Sequence, residues 1–298
     1  MKRTSLIIGI AIAFSLSAMA AKPIAKHVVL IGLDGWGSYS VEKAEMPVTK
    51  QLMQNGTYTL SKRSVLPSSS AVNWASMFMG AGPELHGFTE WGSQKPDLPS
   101  RELSHYGLFP SIWGLFRDAY PDKEMGYIYE WEGMKYFVEM EAFNFAKHVP
   151  VTEDNSRGLT DVACEYIRTS KPSFVGIIFD RPDGVGHKDG HGSPAYYAQM
   201  TEMDGYIGEI VQAVIDAGIY DDTIFIVTSD HGGIGTGHGG KTMDEMETPF
   251  IIAGKGINKG AVITDSMMQF DIASTLAHIF RIRQPQVWIG RPMMQVFK

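Results

Sequence analysis

Four short runs, His27–Leu33, Phe174–Phe179, Thr223–Thr228 and Pro249–Ala253, are apolar at nearly every position rather than at every second one. A strand with one face in water alternates; a strand covered on both faces does not, and helices packed on both sides of a sheet provide that cover. Helix-patterned stretches separate the runs, at Val72–Met79, Ser111–Ala119, Leu159–Arg168, Ala195–Ala217 and Asp271–Phe280. The alternation predicts an α/β fold: a doubly wound, mostly parallel sheet sandwiched by helices. Met125–Tyr129 is a further, more polar strand candidate. Glu130–Asn144 is amphipathic and aromatic, enough for a small cap at most, and Thr89–Gly107, rich in Pro, Ser, Gly and aromatics, reads as a long ordered loop.

The polar residues collect where the apolar runs stop. His27–Leu33 passes straight into Asp34-Gly35, Phe174–Phe179 into Asp180-Arg181-Pro182-Asp183-Gly184-Val185-Gly186-His187, and Thr223–Thr228 into Ser229-Asp230-His231-Gly232-Gly233. In an open α/β sheet, ligands bind beyond the carboxyl ends of the strands. Asp and His delivered to one edge by three strands suit a zinc site, since imidazole nitrogen and carboxylate oxygen both bind that ion at roughly 2.0–2.2 Å. The same donors accept Mn or Fe. Any single Asp-His pair is an ordinary turn; three such clusters, each closing a buried strand, point to a site. The surrounding glycines let neighbouring ligands converge, and His238, in Gly237-His238-Gly239-Gly240, adds an imidazole on a flexible loop.

Leu66-Pro67-Ser68-Ser69-Ser70 precedes the helical stretch Val72–Met79. A hydroxyl at a helix start is ordinarily an N-cap. The same position is where backbone N–H groups and the helix dipole hold a phosphate, and where a serine beside a metal becomes a nucleophile. Residue type and spacing leave Ser68, Ser69 and Ser70 equally eligible.

Composition narrows the rest. The formal net charge is −7, so there is no basic footprint for a nucleic-acid polymer. Lys2 and Arg3, the apolar run Leu6–Leu16 and Ala18-Met19-Ala20 form the charged, apolar and small-residue parts of a cleaved export signal over residues 1–20. One domain over 21–298, periplasmic or secreted and without a stable membrane anchor, is the expectation. The single Cys164 has no internal partner and reads as packed filler.

In this order, the motifs resemble those of the alkaline phosphatase superfamily, and most of all its type I phosphodiesterase/nucleotide pyrophosphatase branch. The matching segments include Gly32-Leu33-Asp34-Gly35, Leu66-Pro67-Ser68-Ser69-Ser70, Pro83-Glu84-Leu85-His86-Gly87, Arg181–His187, Ser229–Gly232, Gly237-His238-Gly239, Thr248-Pro249-Phe250, Phe270–Thr275 and Trp288–Pro292. The resemblance implies two divalent metal ions, zinc by preference. Asp183, His187 and His238 would hold one; Asp34, Asp230, His231 and the nucleophile would hold the other. The nucleophile falls on Ser70. The implied reaction is in-line attack by the metal-activated Ser70 on a small-molecule phosphate ester, through a phosphoseryl intermediate.

The branch usually places an Asn on the phosphoryl group shortly after its His-Gly pair, whereas this chain has Phe88-Thr89-Glu90-Trp91 there. Asn73, Thr89 and Trp91 are therefore the candidate substrate contacts. His86 matches a family position as a structural residue orienting the nucleophile loop. His191, four residues after His187, sits between Gly190 and Gly192, so a loop is expected and it is left outside the ligand set. The alternatives are a phosphomonoesterase, a sulfatase-like hydrolase, or a non-catalytic zinc-binding protein of the periplasm. Ser70-Ala71-Val72-Asn73 lacks the Cys/Ser-x-Pro-x-Arg pattern that a sulfatase needs.

Overall fold

All four continuous apolar runs lie in one sheet. The structure, a computed structural model, describes residues 22–151 and 155–298, so the export signal expected over residues 1–20 lies outside the described residues. The strands are β1 (His27–Leu33), β2 (Gly56–Arg63), β3 (Met125–Tyr129), β4 (Phe145–His148), β5 (Phe174–Phe179), β6 (Thr223–Thr228), β7 (Glu247–Gly254) and β8 (Ala261–Val262). Their order is β4-β3-β5-β1-β6-β7-β2-β8. Only the ladders flanking β7 are antiparallel, so the sheet is mostly parallel as expected.

The helices are α1 (Pro47–Asn55), α2 (Ser70–Met79), α3 (Pro83–His86), α4 (Ile112–Ala119), α5 (Arg157–Ser170), α6 (Asp183–Asp189), α7 (Pro194–Asp216), α8 (Met243–Met246) and α9 (Asp271–Phe280). Successive residues of β1 point to opposite faces, and both faces are covered. Val28 and Leu30 join a core with α2, α4 and α9, while Val29, Ile31 and Leu33 join a second with α1, α5 and α7. Each such fully buried side chain contributes about 1.5–3 kcal/mol of hydrophobic stabilisation. That two-sided burial is why the strand has no polar alternation.

The register places the site. β1 lies between β5 and β6 and runs parallel to both, with Leu33 opposite Phe179 and Gly32 opposite Thr228. The three strands therefore end together, and the residues that follow them share one edge. Gly32 also lets α2 close on β1: a Cβ there would sit 2.4 Å from the Trp74 ring. Among the described residues no helix is long and apolar enough to cross a membrane. The thiol of Cys164 is buried in α5, and burial pushes it up to about 11, as fits a packing residue.

Candidate active site

Ser70 opens α2, and the three serines before that helix have different partners. Ser68 Oγ donates to Gly240 O (2.7 Å) and accepts from Gly239 N (3.2 Å). Ser69 Oγ is buried without a partner among the described residues. Ser70 Oγ alone of the three faces the strand-end cluster, 3.1 Å from His231 Nε2 and 3.4 Å from Asp34 Oδ1. The geometry thus separates three residues that spacing could not.

Around Ser70 the donors form a buried group. Asp34 Oδ1 and Asp230 Oδ2 lie 3.4 and 3.3 Å from His231 Nε2. The other oxygen of each carboxylate is anchored: Trp74 Nε1 donates to Asp34 Oδ2 (2.9 Å), and Gly35 N donates to Asp230 Oδ1 (3.2 Å). The second group gathers on Asp183. Helix α6 puts Asp183 and His187 one turn apart on one face, with Oδ2 3.0 Å from His187 Nε2. His238 Nε2 lies 3.8 Å from the same oxygen, and its ring stacks on His231 at 3.8 Å between centroids.

Three imidazoles are aimed the same way. His187 Nδ1 bonds Thr236 O (2.9 Å), His231 Nδ1 bonds Gly232 O (2.7 Å) and His238 Nδ1 bonds Ser68 O (3.0 Å). A carbonyl on Nδ1 fixes the proton there and leaves Nε2 as the electron-pair donor. The loop of His238, expected to be flexible, is instead tied to Ser68 and to Glu245, which accepts from Gly240 N (2.8 Å).

The electrostatics differ between the groups. Burial, with Asp230 and Asp183 nearby, raises Asp34 well above the usual carboxylate range; burial raises Asp230 to about 8. Burial also pushes His231 down to about 3. On Asp183 burial acts upward, but the His187 hydrogen bond and the imidazoles of His231 and His238 hold it at about 2. His187 rises to about 9, chiefly through that bond. Asp183 Oδ1 and Asp230 Oδ2 are buried with no hydrogen-bond partner among the described residues. Donor atoms of Asp34, Asp230 and His231 lie within 4.8 Å of one another, as do those of Asp183, His231 and His238. Crowded buried carboxylates, orphaned oxygens and pre-aimed Nε2 atoms fit divalent cations. His231 belongs to both groups, a sharing that the implied division of ligands did not contain.

Of the three candidate substrate contacts, Asn73 is turned toward the protein's own backbone. The Asn73 side chain is buried and bonded to the nucleophile loop: Oδ1 accepts from Val65 N (2.8 Å), and Nδ2 faces Val65 O, Pro67 O and Ser69 O at 3.1–3.2 Å. It holds Ser70's loop in place. Thr89 gives its hydroxyl to Asp97 (3.1 Å). Trp91 is 61% exposed and stacks on Trp131. Neither Thr89 nor Trp91 bonds the Asp–His cluster among the described residues. His86 is structural, as expected: its Nδ1 accepts from Phe88 N (3.1 Å) and its Nε2 meets Ser76 Oγ (2.9 Å), tying α3 to α2.

Two residues near the cluster, Lys62 and Glu130, carry no sequence signal, and a third, His191, stands closer to it than its glycine flanks imply. His191 is in a loop, as expected, but its Nε2 lies 3.2 Å from Asp183 Oδ1; its four-residue spacing from His187 was the available signal. Lys62 is fully buried in β2 and donates to Ser229 O (2.8 Å), beneath Asp230. Burial lowers its ammonium to about 7. Glu130 accepts from Asp180 N (2.7 Å) and is pushed up to about 7 by burial. Neither carries a motif.

Residues 28–264 match the family described as type I phosphodiesterase / nucleotide pyrophosphatase. The chain belongs to this family. It is 24% identical over 309 residues to GPI ethanolamine phosphate transferase 1 of Saccharomyces cerevisiae, covering 90% of this chain and 33% of that protein. It is 24% identical over 223 residues to ectonucleotide pyrophosphatase/phosphodiesterase family member 1 of Rattus norvegicus, covering 68% of this chain and 24% of that protein. The chain thus spans a third or less of these relatives' length. Its fold matches an inactive variant of murine ectonucleotide pyrophosphatase/phosphodiesterase 5 solved with AMP, with a TM-score of 0.73, 15% identity, and coverage of 92% of this chain and 100% of that one. A 2-O GAG sulfatase matches equally in fold, with a TM-score of 0.73, 14% identity, and coverage of 92% and 74%.

Proposed function

We propose that this family member is a metal-dependent phosphoric ester hydrolase of the phosphodiesterase/pyrophosphatase type, with Ser70 as nucleophile, working outside the cytoplasm as one domain over residues 21–298. The observation that carries this reading is Ser70 Oγ at the start of α2, 3.1 Å from His231 Nε2 and 3.4 Å from Asp34 Oδ1. Asp34, Asp230, His231 and Ser70 would hold one divalent cation, and Asp183, His187 and His238 a second, zinc suiting both donor sets. When bound, such ions supply Lewis-acid polarisation and neutralise developing charge.

The chain's own groups do the rest. Trp74 and Gly35 keep the Asp34 and Asp230 carboxylates from rotating. His231 Nε2 and Asp34 Oδ1 hold the Ser70 hydroxyl in place, 3.1 and 3.4 Å from its oxygen, before a cation takes those donors. The free first-turn N–H groups of α2 offer the positive end of a helix dipole to the phosphoryl oxygens. Ser70 Oγ forms a bond to phosphorus as the leaving alkoxide departs, and water then cleaves the phosphoserine, returning the hydroxyl. The substrate is a small phosphate ester; with a net charge of −7 the chain offers no footprint for a nucleic-acid polymer.

The test is hydrolysis of bis-p-nitrophenyl phosphate, p-nitrophenyl phosphate and p-nitrophenyl sulfate by zinc-replete protein. The diester should turn over fastest, and a chelator should abolish turnover reversibly. Ser70→Ala should lower it by about 10³-fold or more while metal stays bound. Dominant sulfate turnover, or an S70A variant as active as the parent, would overturn the assignment.

A further inference from the structure

We propose that His191 is a positioning residue: its imidazole holds the Asp183 carboxylate and clamps α6 to the His231 loop, fixing the Asp183 donor group before a cation arrives. The inference rests on the metal-centre reading above. The ring is completely buried, with Nε2 3.2 Å from Asp183 Oδ1. Neither nitrogen nor Asp183 Oδ1 makes a hydrogen bond among the described residues, so the 3.2 Å approach of ring to carboxylate is one that no other polar partner competes for. Three orphaned buried polar atoms would be rare separately; here two of them face each other.

The protein is shaped around this ring. It lies between Gly186 of α6 and Gly233 beyond His231, where an added Cβ would come within 2.3 and 2.2 Å of ring atoms. Both glycines therefore make room for an imidazole that reaches the two loops bearing donors. The backbone N–H of His191 donates to Gly235 O (2.6 Å), which pins the residue to the second loop. Tyr196 closes the far side, edge-on at 5.5 Å, and its own hydroxyl donates to Gly35 O (2.8 Å), next to Asp34. A packing residue alone would not need a polar ring against a carboxylate oxygen. With Oδ1 held by His191, Oδ2 remains for His187, His238 and the cation.

Outer partners of metal ligands typically contribute about 10- to 100-fold in metal affinity. The experiment is a chelator competition with zinc on the full chain, with metal-free melting temperature measured alongside. His191→Phe keeps a ring between the two glycines and removes the donor; His191→Gln offers an amide N–H near the Nε2 position. Wild type should bind two ions. H191F should melt close to wild type without metal yet hold one ion about 10- to 100-fold more weakly, and H191Q should recover most of that loss. Gly233→Ala, which displaces the ring, should behave as H191F does and carries the test if H191F does not fold. An H191F protein that binds both ions as tightly as wild type overturns the inference alone. H191Q as weak as H191F, with the cobalt spectrum altered in both, makes His191 a direct ligand and also overturns it. A wild type that binds no divalent ion overturns the metal-centre reading and this inference together.

Discussion

The two donor groups share His231 and differ in almost everything else. The group around Ser70 is built on strand ends and is buried throughout: Asp34, Asp230 and His231 are each no more than 3% exposed. The group around Asp183 is built on a short helix and a glycine loop, and the His187 side chain is 47% exposed. Without a cation the outer group neutralises itself, because His187 and Asp183 form an ion pair. The inner group has no such pair: its two crowded carboxylates are pushed toward their protonated forms while burial keeps His231 uncharged. Rigid strand ends preorganise a costly charge arrangement; a looser helix end supplies an adaptable one.

The largest effect should come from the shared residue. His231→Ala removes a ligand of the inner cation and the ring stacked on His238 of the outer group, so both cations should weaken and diester turnover should fall by about 10³-fold or more. His187→Ala touches only the outer group and leaves Asp183, His238 and His191 in place, so one cation should weaken, by about 10- to 100-fold. Metal stoichiometry by elemental analysis, read beside turnover, checks this ordering. Equal losses from the two variants would show that the groups are not distinct.

The electrostatic contrast has its own consequence, next in size. Asp34 and Asp230 have folded-state pKa values raised above their unfolded value of 3.8, Asp230 to about 8. The fold therefore favours their protonated forms, and that stability is present below 3.8 and lost as pH rises through the folded values. Asp180, raised to about 6, and Glu130, to about 7, act in the same direction. Asp183, held at about 2, acts oppositely: its contribution is present above 3.8 and is lost only in strong acid. Metal-free protein should accordingly melt several degrees lower at about pH 8 than at about pH 5, and Asp230→Asn should flatten that slope. Saturating zinc should flatten it as well. A metal-free melting temperature that stays level over this range, or an unchanged slope in D230N, would dissolve the contrast.

The same contrast explains what could be read from sequence. β1, β5 and β6 are apolar because helices cover both faces; β1 and β6 lead into the inner group and β5 into the outer one, so burial writes itself into residue type. β2 does not follow that rule. Its Gly56–Arg63 sequence is rich in Thr, Ser and Lys, yet Thr57, Thr59 and Lys62 are buried through polar contacts such as Thr57 Oγ1 to Asn258 O (2.9 Å). Helix α1 was equally hidden: its free N-terminal amides Val48 N and Thr49 N are capped by Asp204 of α7, both at 2.8 Å. A partner 155 or more residues away leaves no local trace. Asn73 shows the reverse: its place near Ser70 suggests a ligand contact, while its amide bonds to the backbone of the nucleophile loop. Glycines flank His191 and point to a loop, so spacing alone leaves it outside the ligand set. Gly190 does end α6, yet the His191 ring still comes within 3.2 Å of Asp183 Oδ1.

The smallest predicted effect separates the cluster from its rim. Trp91 stacks on Trp131 at 6.5 Å with 21° between planes, and Trp131 rests on Phe137 at 6.0 Å. Together with Glu132 and Tyr136 the two indoles line a cavity of about 220 Å³ on loops that bear none of the Asp and His donors. If this platform receives an aromatic leaving group, it acts on binding and not on the reacting atoms, so Trp91→Ala should raise KM and leave kcat unchanged. An aromatic stack contributes about 0.5–1.5 kcal/mol, which corresponds to roughly a 2- to 10-fold rise. The discriminating comparison pairs bis-p-nitrophenyl phosphate with methyl p-nitrophenyl phosphate, which has one aromatic arm fewer. A rise confined to the bulkier ester would place the platform beside the bound substrate. A fall in kcat for both esters would mean that the 89–107 loop supports the nucleophile itself, and the division between chemistry at the cluster and binding at the rim would not hold.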